Sequence, residues 1–112
     1  MAYTAAVTIH AHFRQDERIS RSFALIIGTC NLSVYDTTLV AITDITKYFK
    51  AVTDVHVSNP SSNGYIAKWN STDNAFDAYQ ADYSASIDGP LVECPNATNV
   101  GTFTFWAVGL GR

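Results

Sequence analysis

Residues 7–14 alternate strictly between apolar and polar side chains. A period of two residues with one apolar side is the pattern of a strand that buries one face and exposes the other. The alternation therefore predicts that the chain opens with a strand and builds a sheet around it. The side chains predicted to face the core are Val7, Ile9, Ala11 and Phe13.

A second strand is predicted over residues 19–27, with Gly28 ending it. Apolar residues occupy both of its faces, which indicates a central strand of a sheet. Polar residues 70–74 form the loop of a hairpin between two further strands. The later strands predicted from the same alternation are 55–58, 65–69, 75–80 and 100–108.

One helix is predicted after residue 42. Thr43 or Asp44 can accept a hydrogen bond from an unpaired N–H and so cap its N-terminus. Apolar side chains then recur at spacings of three and four. Two turns are too short to be stable alone, so this helix is expected to dock on the core. The residues that define the spacing are Ile42, Ile45, Tyr48, Phe49 and Val52.

Together these elements predict an all-β fold, an antiparallel β-sandwich or barrel with one short helix. The chain has 112 residues, of which 47% are hydrophobic, so we expect a single domain over residues 1–112. Residues 1–6 are interpreted as an N-terminal arm that can lie along the sheet edge of a partner. Residues 81–99 are interpreted as a long loop, and a loop of that length in a small domain is usually functional.

Charged residues make up only 15% of the chain, and the formal net charge is −3. An average domain carries about 25% charged residues, so either uncharged polar residues or another chain covers part of the surface. Without a basic excess we expect no nucleic-acid partner. No apolar run approaches the ~20 residues of a membrane span, and no secretory signal peptide is visible, so we expect no membrane partner.

No arrangement of residues in the sequence carries a specific chemical signal. His10 and His12 share one face of the predicted strand and, with His56, are the best candidates for metal ligands, but two histidines at this spacing are a weak signal. Cys30 and Cys94 are either two buried thiols or one disulfide. No nucleophile elbow, phosphate-binding loop or calcium loop is present. We therefore expect no enzyme, no catalytic residue, no cofactor and no metal.

Aromatic residues lie on predicted strand faces that the core does not need. Tyrosine and tryptophan are enriched at protein interfaces because they contribute a large contact area at a small entropic cost. With the low charge content, this favours a protein that works in an assembly. The residues predicted to contact a partner or another copy of the chain are Tyr3, Thr4, Ala5, Trp69, Tyr79, Tyr83, Pro90, Leu91 and Trp106.

Between about Val52 and Arg112 the sequence has an ordered series of strand, hairpin and loop segments, and a short predicted helix over residues 44–49 precedes the first of them. These segments are Thr53-Asp54-Val55-His56-Val57-Ser58, Gly64-Tyr65-Ile66, Asn70–Asn74, Phe76-x-Ala78-Tyr79, Glu93-x-Pro95-Asn96-Ala97-Thr98-Asn99 and Thr102-Phe103-x-Phe105-x-Ala107-Val108-Gly109. In these segments and their order the chain resembles the small capsid decoration (cement) proteins of tailed bacteriophages and related virion proteins.

The resemblance implies a non-enzymatic β-sandwich that binds the outer surface of an assembled head, commonly as a homotrimer. Its partner would be the major capsid protein, whose neighbouring subunits it would clamp, and it would assemble into the virion in the host cytoplasm. One alternative is another virion component, from the head–tail junction, the tail or the baseplate. A second alternative is a carbohydrate-binding module, which requires Trp69, Tyr79 and Trp106 to lie together on one exposed face.

Overall fold

Two antiparallel sheets and one short helix form the part of the chain that the computed structural model describes, residues 2–15, 23–81 and 91–111. The predicted all-β fold with sandwich architecture is confirmed. The elements in chain order are β1 (Thr4–Gln15), β2 (Phe23–Val34), α1 (Thr43–Thr46), β3 (Phe49–Val57), β4 (Ile66–Asn70), β5 (Ala75–Gln80), β6 (Val92–Glu93) and β7 (Gly101–Gly111).

The larger sheet has four strands in the order β1-β2-β7-β3, and the smaller has three in the order β4-β5-β6. Strands β1 and β2 have 12 residues each and β7 has 11, whereas β4 and β5 have 5 and 6. At ~3.3 Å per residue the larger sheet is about twice as long as the smaller one. The molecule is accordingly elongated, with extents of 59 × 27 × 22 Å.

Aromatic side chains fill the space between the sheets. The ring of Phe76, from the smaller sheet, lies 4.9 Å from that of Phe103 and 5.9 Å from that of Phe105, both on β7. Trp69 packs edge-on against Phe76 at 5.0 Å. In strand β7 buried residues alternate with exposed or half-buried ones, so its odd-numbered residues face this core.

The predicted N-terminal arm over residues 1–6 is wrong for the described residues 3–6. Tyr3 is only 8% exposed, and Thr4 already pairs with Val34 in the sheet. The hydroxyl of Tyr3 donates to the carbonyl oxygen of Phe76 at 2.9 Å and accepts from the N–H of the same residue at 3.0 Å. These bonds hold the start of β1 against the second sheet.

Gly28 does not end β2, as its sequence context predicted, but lies in the middle of the strand. A side-chain carbon at this position would lie 2.5 Å from the carbonyl oxygen of Thr8 and 3.3 Å from the ring of Phe105. The glycine therefore lets the backbone of β1 and the core aromatic ring both approach β2 closely. The strand continues past it to Val34.

The helix is shorter than predicted and is capped differently. It spans Thr43–Thr46, and Ile42 occupies the N-cap position without a side-chain hydrogen bond, so neither Thr43 nor Asp44 is the cap. Phe49 and Val52, which the spacing placed on the helix, belong to β3. Pairing of β3 with β7 along its whole length accounts for the early end of the helix.

The interpretation of residues 81–99 as one long loop is wrong in part. Val92 and Glu93 form β6, which pairs antiparallel with β5 through Tyr79 and Gln80. The backbone N–H of Cys94 continues this pairing by donating to the carbonyl oxygen of Ala78 at 2.9 Å. Residues 82–90 lie outside the described residues.

We predict that Gly28→Ala lowers the free energy of unfolding by about 1–3 kcal/mol, because the added methyl group requires β1 or Phe105 to move. Chemical denaturation followed by circular dichroism measures the change. Asn31→Ala, at an exposed position of the same strand, is the control, with an expected change within about 0.5 kcal/mol. Equal stability of Gly28→Ala and the wild type would contradict the close approach.

We predict that Tyr3→Phe lowers the free energy of unfolding by about 1–2 kcal/mol, because it leaves the N–H and C=O of buried Phe76 without their partner. Tyr48→Phe, which removes a hydroxyl from a half-buried ring packed on His12, is the matched control. Thermal unfolding of the two variants under the same conditions provides the comparison. A loss no larger than that of Tyr48→Phe would show that the N-terminus is not held by this hydroxyl.

Candidate functional site

The outer face of the larger sheet, opposite the core, is divided into two halves of different chemistry. In the half of this face that lies farther from the β1–β2 connection, neighbouring strands carry polar side chains. We call these residues the polar half-face: Thr8, Thr29, Asn31, Thr102 and Thr104. Toward the β1–β2 connection the outer face is apolar on β1, β2 and β7, and it borders the exposed Asp54 and His56 of β3. We call its apolar residues the apolar half-face: Phe13, Phe23, Leu25, Ile27, Trp106, Val108 and Leu110.

The register of β2 and β7 brings the apolar half-face together. Phe23 pairs with Leu110, Leu25 with Val108, and Ile27 with Trp106, in three consecutive rows. Side chains directly opposite each other on antiparallel strands share a face and lie ~5 Å apart. The apolar residues are therefore contiguous across the two central strands.

A β-bulge at His10 adds β1 to the same surface. Ile9 pairs with Gly28, but Ala11 pairs with Ile27, so one residue of β1 is unpaired between them. An extra residue reverses the alternation of the side chains that follow it. Ala11 and Phe13 therefore lie on the outer face, where Phe13 is 55% exposed, and their predicted place in the core with Val7 and Ile9 is wrong.

The bulge also separates the candidate metal ligands. Nε2 of His10 lies 3.3 Å from Oγ1 of Thr29 on the outer face, whereas the ring of His12 packs on Tyr48 at 4.6 Å on the inner side. The prediction that His10 and His12 share a face is therefore wrong. Among the residues that the structure describes, no three His, Cys, Asp or Glu side chains are placed to hold a metal ion.

Trp106 is the central aromatic residue of the outer face. It is 38% exposed, and its ring stacks on that of His56 with 5.3 Å between centroids and 20° between planes. Its neighbours across the sheet are Ile27 on β2 and His56 on β3. Among the predicted contact residues that the structure describes, Trp106 is the one that lies on the apolar half-face.

The other predicted contact residues are dispersed over the molecule. Trp69 is half-buried against Phe76, with its indole N–H enclosed, and Tyr79 lies on the smaller sheet opposite Ile66. Thr4 and Ala5 are in β1, Tyr3 is buried, and Leu91 is 53% exposed just before β6. Tyr83 and Pro90 lie outside the described residues. Trp69, Tyr79 and Trp106 do not form one platform.

Sequence reasoning did not identify most of the apolar half-face. The sequence does contain a relevant pattern, because β2 and β7 each carry apolar residues on both faces. For β2 this pattern predicted burial on both sides. In the structure Ala24 and Ile26 of β2 are fully buried, while Phe23 is 45% and Ile27 37% exposed. The second apolar face thus has no cover within the described part of the chain.

A small polar cluster lies where β5 and β6 meet. The hydroxyl of Tyr35 donates to Oε2 of Glu93, and Asp77 lies near both. Burial, and then the hydrogen bond to Glu93, raises the pKa of Tyr35. Burial is also the main cause that raises the pKa of Asp77, to which the charge of Glu93 adds, while a hydrogen bond from Asn70 lowers it.

The two cysteines are free and buried, so of the two alternatives the structure shows separate thiols. Burial raises the pKa of Cys30 to about 12 and also raises that of Cys94. Both thiols are thus protonated near neutral pH and poorly reactive.

Comparison with models of protein families, with curated proteins and with solved structures found no match to this chain. In the described residues there is no helix of the length and apolar character needed to cross a membrane.

We predict that Asp77→Asn increases stability near neutral pH and that this gain disappears on acidification. Because the pKa of Asp77 is higher in the folded protein than in the unfolded chain, its ionised form opposes folding at neutral pH. The penalty declines as the pH falls through the folded pKa and is gone below the unfolded value. Denaturation curves of the variant and wild type between about pH 7 and pH 3 measure the difference.

Asp54→Asn, at an exposed position of β3, is the control, because it changes the net charge by the same amount at a residue that does not shift the pKa of Asp77. A stability difference for Asp77→Asn that is independent of pH would contradict the assigned cause.

Proposed function

We propose that this protein is a bacteriophage capsid decoration (cement) protein, a virion component that binds the outer surface of the assembled head. Its partner would be the major capsid protein, and its role would be to stabilise contacts between neighbouring subunits. The observation that carries the proposal is the apolar half-face. The largest contiguous apolar patch on a monomeric soluble protein is typically ~300–600 Å² and is often functional, and the apolar half-face is of that size.

The size of the apolar half-face supports a protein partner. Phe13, Phe23 and Trp106 are 55%, 45% and 38% exposed, which amounts to roughly 300 Å² of apolar surface, since an aromatic side chain carries ~150–250 Å². Ile27 and the half-buried Leu25, Val108 and Leu110 raise this to roughly 500 Å². A contiguous apolar surface of this size is suited to contact with another protein surface.

The order of the helix and strands supports a decoration protein in particular. The resemblance to decoration proteins rests on a short helix, a strand, a hairpin and a final strand after a variable segment. The same order is present here as α1, β3, the β4–β5 hairpin and β7. The carbohydrate-binding alternative loses its support, because the rings of Trp69, Tyr79 and Trp106 lie on different surfaces.

The proposed mechanism is stabilisation by mass action. A protein that binds the expanded shell and not its separated subunits stabilises the shell by the free energy of binding. Repetition of the same contact over the head increases the effect, because neighbouring sites are linked through the shell.

We predict that the purified protein saturates expanded heads of its virus at a fixed ratio to the major capsid protein and raises the temperature at which they break open. Pelleting of mixtures and a thermal disruption assay measure the two effects. Thr104→Lys, on the polar half-face, is the charge-matched control for Trp106→Lys, which is expected to bind more weakly. Recovery of the protein only in the tail fraction of dissociated virions would overturn the proposal.

A further inference from the structure

We infer that the free edge of β1 binds an extended segment of another protein, which adds to the larger sheet as a fifth strand. This contact is separate from the apolar half-face and goes beyond the proposed function. We call the backbone of residues 5–9, on the side away from β2, the open edge. The partner is defined by its chemistry, a strand whose backbone N–H and C=O groups match those of the open edge.

The hydrogen bonds of the larger sheet determine which backbone groups of β1 point outward. The carbonyl oxygen of Thr104 on β7 accepts from the N–H of Ser58, on the β3 side, at 2.8 Å. Because bonded and non-bonded pairs alternate along antiparallel strands, Thr104 exchanges no backbone bond with Thr29, its partner on β2. Thr29 therefore directs its backbone groups to Thr8 on β1. The residues between the bonded positions of β1, whose groups point away from β2, are Ala5, Val7 and Ile9.

These outward groups have no partner in the part of the chain that the structure describes. Strand β1 is the last strand of the larger sheet, and no backbone hydrogen bond joins its outer side to another described segment. Three N–H and three C=O groups therefore form a row along the side of the molecule. Such a row is a template for pairing with another strand.

The open edge lacks the features by which proteins protect the edges of their sheets. Charged side chains, prolines, bulges and very short strands keep an edge from pairing. Residues 5–9 contain no charged residue and no proline, and the bulge at His10 comes only after them. Edge strand β3, in contrast, has two register irregularities and carries Lys50 and Asp54. In the smaller sheet β4 carries Lys68, and β6 has only two residues.

A cavity at the start of the open edge provides a place for one side chain of the added strand. It has a volume of about 170 Å³ and is lined by Tyr3, Ala5 and residues 40–44. Ala5 packs toward the core, and a residue paired directly with it directs its side chain to the same face. A cavity of ~150 Å³ accommodates an apolar group of the size of benzene. We therefore expect the partner to carry an aliphatic side chain opposite Ala5.

Hydrogen exchange of single backbone amides, followed by NMR, tests the inference. The probe is an octapeptide of alternating threonine and valine, N-methylated along one edge so that it does not stack on itself. At millimolar peptide we expect exchange at Ala5, Val7 and Ile9 to slow at least ~10-fold. The amides of Ala6 and Thr8 already face β2 and are expected not to change. The same peptide N-methylated along both edges is the control and is expected to have no effect.

A substitution on the open edge provides a second readout. Val7→Pro removes an N–H that points away from β2, a position at which an edge strand tolerates proline. We expect it to weaken binding of the octapeptide at least ~10-fold. Val7→Ala, which shortens the side chain and keeps the N–H, is the matched control and is expected to bind like the wild type. Circular dichroism establishes that both variants fold, and the amide pattern of the wild type decides the inference if Val7→Pro does not.

Unchanged exchange at Ala5, Val7 and Ile9, or equal effects of the two peptides, would overturn the inference. Equal slowing at Ala6 and Thr8 would also overturn it, because general stabilisation does not distinguish the two sides of β1. Slowing that increases with the concentration of the chain alone would assign the open edge to a second copy instead of another protein. No heads enter these experiments, so their result is independent of whether the proposed function holds.

Discussion

The pairing of β2 with β7 is the interaction on which the rest of the structure depends. It runs without interruption from Phe23 with Leu110 to Leu32 with Gly101. Because side chains alternate across a strand, a shift of one residue would exchange the two faces of the sheet. The register thus places Phe103 and Phe105 in the core, and by the same alternation it places Trp106, Val108 and Leu110 outside.

Two local features of the chain adapt the neighbouring strands to this central pair. Gly28 allows β1 to approach β2 closely, as the short distance to the carbonyl oxygen of Thr8 shows. The bulge at His10 directly follows the pair of Ile9 with Gly28. It reverses the alternation of the side chains of β1, so that Phe13 joins the apolar half-face. The composition of the outer face therefore results from backbone geometry as much as from the sequence of any one strand.

The strands themselves could be predicted from the sequence, because their alternation is local. The bulge could not, since Val7, Ile9, Ala11 and Phe13 alternate without a break in the sequence and only the register with β2 reveals the extra residue. The place of Gly28 inside β2 could not be predicted either. A glycine after an apolar run usually marks the end of a strand, and only the close approach of β1 explains why the strand continues past it. The helical spacing of Phe49 and Val52 was overridden by pairing of β3 with β7, which satisfies more backbone groups than one additional helical turn.

The position of the apolar half-face could be predicted from the sequence only in part. Low charge content and surplus aromatic residues indicated a chain that works in an assembly, and Trp106 was among the residues predicted to contact a partner. Tyr3 and Trp69 were misplaced because an aromatic residue at the end of a strand or in a hairpin has the same local pattern whether it faces solvent or a second sheet. Only the packing of the two sheets distinguishes these cases.

The central claim is that another protein surface covers the apolar half-face in the working state of the molecule. Hydroxyl-radical footprinting of the isolated chain at high dilution and of the assembled protein tests this most directly, with Trp69, which packs on Phe76, as the internal reference. We expect the reactivity of Phe13, Phe23 and Trp106 to fall several-fold on assembly, while that of Trp69 does not change. Full reactivity of Trp106 in the assembled protein would contradict it.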